Sequence, residues 1–168
     1  LVHDITGGGS GIVLDNSSVG LLVENNLVHH IATDGLLFNF NDTANIVQNN
    51  IVALAGNSLM NRSGDAGRLD QTGVFYRNIF YRSGDQCPVF VPQKWENYDI
   101  ILDCNLYYDA TGKPPKFLEF DFEQWMALGL DSRSLIADPL FIDPARGDFR
   151  LKPESPAFAL GLSLPSTI

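Results

Sequence analysis

A seven-residue block with a shared asparagine at its fifth position occurs four times in this chain. It reads Leu22-Val23-Glu24-Asn25-Asn26-Leu27-Val28, Ile46-Val47-Gln48-Asn49-Asn50-Ile51-Val52, Val74-Phe75-Tyr76-Arg77-Asn78-Ile79-Phe80 and Ile101-Leu102-Asp103-Cys104-Asn105-Leu106-Tyr107. Each shared Asn has apolar residues four and three before it and one and two after it. The steps are 24, 28 and 27 residues. A drifting period in the twenties, built from β-formers with no helical spacing, describes a solenoid whose coils are strands. An ordinary β-sandwich with turn asparagines has no reason to hold that phase four times.

Stacking follows from the repeat. Leu22, Ile46, Val74 and Ile101 are predicted to form one apolar column, and Leu27, Ile51, Ile79 and Leu106 a second. Both are expected to fill a narrow interior, where matched aliphatic residues leave few voids. The shared Asn is expected at a sharp corner, since it tolerates left-handed backbone and bonds neighbouring amides. Stacked Asn side chains can also hydrogen-bond along the ladder.

With 168 residues, 45% of them apolar and 18% charged, the chain fits one domain with a core. No 18-residue apolar run suggests a membrane span. A formal net charge of −9 without a basic stripe argues against nucleic acid as a partner. Leu1-Val2-His3-Asp4-Ile5 aligns with Leu27-Val28-His29-His30-Ile31, so the chain reads as the C-terminal piece of a longer solenoid. Cys87 and Cys104, 17 apart, fit either a disulfide or two buried thiols.

In chain order, strands are predicted at 1–5, 11–15, 35–40 and 58–62 besides the four Asn blocks. A long polar loop covers 63–70, and Pro88 and Pro92 make the fourth coil irregular. Periodicity ends after Asn105. Asp121 to Gly129 reads as a short helix, with Asp121 as N-cap, Gln124 three residues on and Gly129 as the stop. Its face of Phe122, Trp125 and Met126 suits the open end of a solenoid, which needs a cap. The expected fold is all-β: a right-handed parallel β-helix of about four coils over residues 1–110, with a capping helix and extended tail over 111–168 of the same domain.

The tail runs Leu135-Ile136-Ala137-Asp138-Pro139-Leu140-Phe141-Ile142-Asp143-Pro144, then Gly147-Asp148-Phe149-Arg150-Leu151-Lys152-Pro153-Glu154-Ser155-Pro156-Ala157. With Trp125, Gly129, Asp131 and Ser134 before it, this resembles the terminal signature of secreted, pectin-lyase-like β-helix proteins that act on carbohydrate. Together with Asp15-Asn16-Ser17-Ser18 it is similar to the group around glycoside hydrolase family 141. The resemblance implies a secreted, periplasmic or cell-surface protein acting as a monomer on polysaccharide or oligosaccharide. Relatives in that group often carry Asp-Glu-Gly-Ser-Ser at the 15–18 position and histidines in place of Phe38-Asn39-Phe40.

Glycosidases that use a carboxylate pair need two Asp or Glu side chains roughly 5–9.5 Å apart. Outward residues of successive coils lie about 4.8 Å apart, so carboxylates one or two coils apart are usefully spaced. Asp15, Asp65 and Asp70 are the catalytic candidates; Asn39, Arg62 and Arg68 are the substrate-binding ones. Asp15 and Asn39 stand at one phase, each 11 before a station Asn, and the third member of that line is placed near Asn61 or Arg62. A turn-capping Asp15 and a merely solvated 63–70 loop are the plainer alternatives. A polysaccharide lyase would instead draw on Arg62 and Arg68, and a non-catalytic glycan-binding or adhesion solenoid would need no acid at all. His29 and His30 are expected on opposite faces, which disfavours a paired metal site. Asp34 and Asp42 are expected in solvated turns. No metal-ligand spacing is present and no cofactor is called for, although loop carboxylates leave room for Ca²⁺.

Overall fold

The computed structural model describes residues 1–15, 18–39, 44–63, 73–84, 89–90 and 100–163. The chain forms a parallel β-solenoid of about four turns, with three strands in each of the first three turns and, among the described residues, two in the fourth. One six-stranded sheet stacks β1 (Val2–Ile5), β4 (Leu27–Ile31), β7 (Ile51–Ala55), β10 (Ile79–Arg82), β12 (Leu106–Asp109) and β13 (Leu135–Ile136). A four-stranded sheet stacks β3 (Leu22–Glu24), β6 (Asn45–Gln48), β9 (Gly73–Tyr76) and β11 (Ile100–Asp103). A three-stranded sheet stacks β2 (Ile12–Asp15), β5 (Asp34–Asn39) and β8 (Ser58–Ser63).

The predicted registers hold. Leu22 pairs with Ile46, Ile46 with Val74 and Val74 with Ile101; Leu27, Ile51, Ile79 and Leu106 align likewise. Their direction differs from the expectation. The interior is built from the alternate positions: Val28, Val52, Phe80 and Tyr107 on one sheet, Val47, Phe75 and Leu102 on the next, and Leu14, Leu36, Phe38 and Met60 on the third. Both predicted columns therefore point outward. The Leu27 column is nonetheless buried, because Phe141, Phe149, Ala157 and Leu162 of the C-terminal segment pack over it. The Leu22 column stays open, with Leu22 and Ile101 each 54% and Ile46 38% exposed. Side chains alternate in a strand, so two adjacent apolar residues cannot both face inward.

At each corner the left-handed residue is the one before the shared Asn: Asn25, Asn49, Arg77 and Cys104 have φ of 57°, 53°, 58° and 55°. The shared Asn contributes its side chain instead. Asn50 Oδ1 accepts from the Asn26 backbone N–H (3.0 Å) and Nδ2 (3.0 Å). Asn78 Oδ1 does the same for Asn50, and Asn105 Oδ1 for Asn78. Each Nδ2 also donates back to an inward residue of the preceding coil, from Asn50 to Val23 O, Asn78 to Val47 O and Asn105 to Phe75 O.

The ladder ends on Asp131 and Ser134. Asn105 donates Nδ2–H to Asp131 Oδ1 (3.2 Å) and its backbone N–H to Ser134 Oγ (2.8 Å). Asp131, wholly buried, also accepts from Tyr107 OH, Trp125 Nε1 (2.8 Å) and Ser134 Oγ. Burial pushes its carboxyl above the usual carboxylate range, and these four donor groups pull against that.

Trp125 belongs to α1 (Phe122–Ala127), which starts at the predicted N-cap Asp121 with a full capping box to Gln124; Gly129, with φ 86°, follows the C-cap. The indole lies on Phe90 and Phe117 and closes the end of the core. The tail then makes an antiparallel pair, β14 (Phe141–Asp143) with β15 (Asp148–Leu151), against the outside of the six-stranded sheet.

Asp34 departs from the solvated turn expected for it. It opens β5 at 5% exposure and accepts from Asn57 Nδ2 (2.6 Å), Ser58 Oγ (2.6 Å) and Asn61 Nδ2 (3.0 Å). Asp42 lies outside the described residues, as does Cys87; Cys104 is a half-buried thiol.

Two stability outcomes follow. Asn78→Ala strands the Asn50 N–H and the Val47 C=O in the core, at about 1–3 kcal/mol for each unmet group, while Asn105 Oδ1 keeps the backbone N–H of residue 78. Urea denaturation should therefore show a loss of about 2 kcal/mol or more, against under about 1.5 kcal/mol for Asn26→Ala at the half-exposed head of the ladder. Equal losses would mean the ladder is decorative. Asp34→Ala, which abandons three donors, should cost about 2–4 kcal/mol by the same measurement; a cost near zero would return Asp34 to the solvated turn.

Candidate functional site

The outer face of the three-stranded sheet carries two rows that rise one residue per coil. Asp15 pairs with Asn39 and Asn39 with Ser63. Val13 pairs with Leu37 and Leu37 with Asn61. A polar row thus runs beside a row that begins apolar, with rungs about 4.8 Å apart.

The polar row is knitted by its own side chains. Asn39 donates Nδ2–H to Asp15 Oδ1 (2.6 Å), and Ser63 Oγ donates to Asn39 Oδ1. This fixes the orientation of the Asn39 amide, nitrogen toward the carboxylate and oxygen toward the hydroxyl. At the end of β2 the Ser18 hydroxyl holds the backbone of Asp15, donating to its C=O (2.8 Å) and accepting from its N–H (3.2 Å). The Asp15 carboxylate is exposed, and its partner among the described residues is Asn39. An oriented carboxylate, amide and hydroxyl in line can bind a ligand rich in hydroxyl groups, each rung offering directional acceptors or donors.

The structure therefore brings Asp15 and Asn39 together at the phase expected of them. The third rung is Ser63, not Asn61 or Arg62. Asn61 is one row over and donates to Asp34, and Arg62 pairs with Phe38, at the phase of the inward Leu14. Counting back from Asn78 misses Ser63 because the step from Asn50 to Asn78 is 28 residues, four more than the step before it. Counting forward finds it, since Ser63 lies 13 beyond Asn50, as Asn39 lies 13 beyond Asn26. Asp65, Arg68 and Asp70 lie outside the described residues, as do Asn16, Ser17 and Phe40.

The histidines also differ from expectation. His30 has φ 53°, which breaks the alternation of β4, so it does not turn to the opposite face from His29. The two Nδ1 atoms lie 2.7 Å apart, and His3 of the preceding coil stacks on His29 with ring centroids 5.1 Å apart. Among the described residues no group of three or more His, Cys, Asp or Glu side chains is placed to hold a metal ion. No helix among the described residues is long and apolar enough to cross a membrane.

The solenoid and its outer rows rest on the geometry of this chain alone: comparison with known proteins returns no matching family model, no matching curated protein and no matching solved structure.

Proposed function

We propose that this chain is an exported, carbohydrate-active β-helix protein that binds an extended glycan along the outer face of the three-stranded sheet and cleaves it as a glycoside hydrolase. The observation that carries the reading is the Asp15–Asn39–Ser63 row, in which an exposed carboxylate is oriented by an amide on the next coil. Hydroxyl edges of a sugar suit the polar row, and its C–H faces suit Val13 and Leu37 beside it. In this reading Asp15 is the acid or nucleophile, and Asp65 or Asp70 supplies the second carboxylate that glycoside hydrolysis needs. The C-terminal resemblance to pectin-lyase-like carbohydrate proteins and to the family 141 group points the same way.

A glycan-binding solenoid without turnover is the second reading, and one observation favours it. Beyond Asp15, the described rungs of the row are an amide and a hydroxyl, groups that bind sugars without cleaving them. A lyase is favoured less, because Arg62 is registered with inward positions and not with the row.

Asp15→Asn separates these readings. The amide keeps the size of the side chain but cannot donate a proton or attack, so the hydrolase loses turnover by about 10²-fold or more while glycan binding persists. Reducing-end release and binding to a panel of plant and microbial polysaccharides are the measurements. Binding by the wild type with no reducing ends released from any of them would leave the binding solenoid, and an ultraviolet-absorbing unsaturated product would mark a lyase.

A further inference from the structure

The C-terminal hairpin sits on a stack of histidines. On the outer face of the six-stranded sheet, His3, His29 and Ala53 form one row, followed by Tyr81 and Tyr108. Phe149 of β15 lies over this row, with ring centroids 4.9 Å from His29 and 6.4 Å from Tyr81; Phe141 of β14 lies 5.4 Å from Tyr81. The position a Cβ would take on Gly147 is 3.5 Å from His29 Cε1, so the hairpin turn closes down on the imidazole edge. His29 is 7% exposed.

The contact between His29 and His30 sets a condition on protonation. Two Nδ1 atoms 2.7 Å apart form a hydrogen bond only while one of them lacks its proton. When both carry one, two N–H groups face each other at that distance. His3 stacks on the other side of His29, so a fully protonated cluster places three cations together. The facing charges are few. Asp4, bonded to His3 Nδ1 at 2.8 Å, is the one carboxylate among the groups acting on His29, and it is exposed. On β7 the neighbours are Ala53 and Leu54, which carry no charge. On the hairpin Asp148 pairs with Arg150 (2.6 Å) and Asp143 with Arg146 (3.6 Å), so its charges meet each other.

We propose that the hairpin is a pH-released cover: protonation of His29, which lies under Phe149 and against His30 and His3, unseats residues 141–151 from the outer face of the six-stranded sheet in mildly acidic solution. Burial beneath Phe149 holds the His29 imidazole below its ordinary pKa, with the neighbouring histidines adding to this and Asp4 opposing it. A released His29 sheds the burial that lowers it, so it takes up a proton that the seated ring resists. The seat is therefore firm above about pH 6.5 and weakens as the pH falls below it. This device is independent of the row at Asp15, which lies on a different sheet.

Hydrogen exchange read by mass spectrometry tests it, on the whole chain at about pH 7.5 and about pH 5.5, with rates corrected for the intrinsic effect of pH. Peptides covering 141–151 should lose protection at the lower pH, while peptides covering 46–55 in the solenoid wall keep theirs. His29→Phe keeps an aromatic ring against Phe149 and removes the titration, so its hairpin should stay protected at both pH values. His30→Asn, which tolerates the left-handed backbone at 30, should reduce the response and serves if the first variant does not fold. Unchanged hairpin protection in the wild type, an equal loss in the variants, or loss of the hairpin and 46–55 together would overturn the proposal.

Discussion

The asparagine ladder is the interaction on which the rest of this solenoid depends, and its direction matters as much as its length. Each Oδ1 accepts from the coil before it and each Nδ2 passes a proton donor to the coil after it. Such a chain of amides can be handed on indefinitely, but it cannot end on an amide without leaving a buried donor unmet. Asp131 ends it because a carboxylate only accepts. The same carboxylate takes Trp125 Nε1 and Tyr107 OH, so the group that terminates the ladder also fastens the capping helix to the last coil. Cap and ladder form one network, which makes the end of the solenoid as specific as its repeat.

The two outward apolar columns show how burial is divided between a repeat and its surroundings. A parallel coil buries one residue of each adjacent pair in its interior and leaves the other outside. The Leu27 column is covered by Phe141, Phe149, Ala157 and Leu162, which form a second core on the far side of the sheet wall. The Leu22 column has Glu24, Gln48, Tyr76 and Asp103 at the next outward position and remains exposed. The tail is thus part of the packing of the six-stranded sheet and not an appendage to it.

The candidate site uses the third sheet, on whose outer face the described residues place neither the tail nor the ladder. What lends it chemistry is the same stacking that built the core: residues of one phase emerge in line, and a carboxylate, an amide and a hydroxyl become neighbours although they are 24 residues apart in sequence at each step. Orientation comes from hydrogen bonds within the row, so the site is preorganised by its own rungs.

By itself the sequence determined the repeat, the registers, the helix with its capping box and the shared phase of Asp15 and Asn39, because period and capping chemistry are local properties that four copies make legible. It misplaced the facing of the columns, which the pattern put inside and the structure puts outside. Two apolar residues on either side of the corner look alike, and only the strand's alternation and the returning tail tell interior from covered exterior. It also concealed the buried Asp34, whose partners come from the next coil, and the meeting of His29 with His30, which needs the left-handed turn at 30. The role of Asp131 was hidden for the same reason. Nothing in its neighbours announces that it ends a ladder begun at Asn26, 105 residues earlier, because that ladder exists only once the coils are stacked.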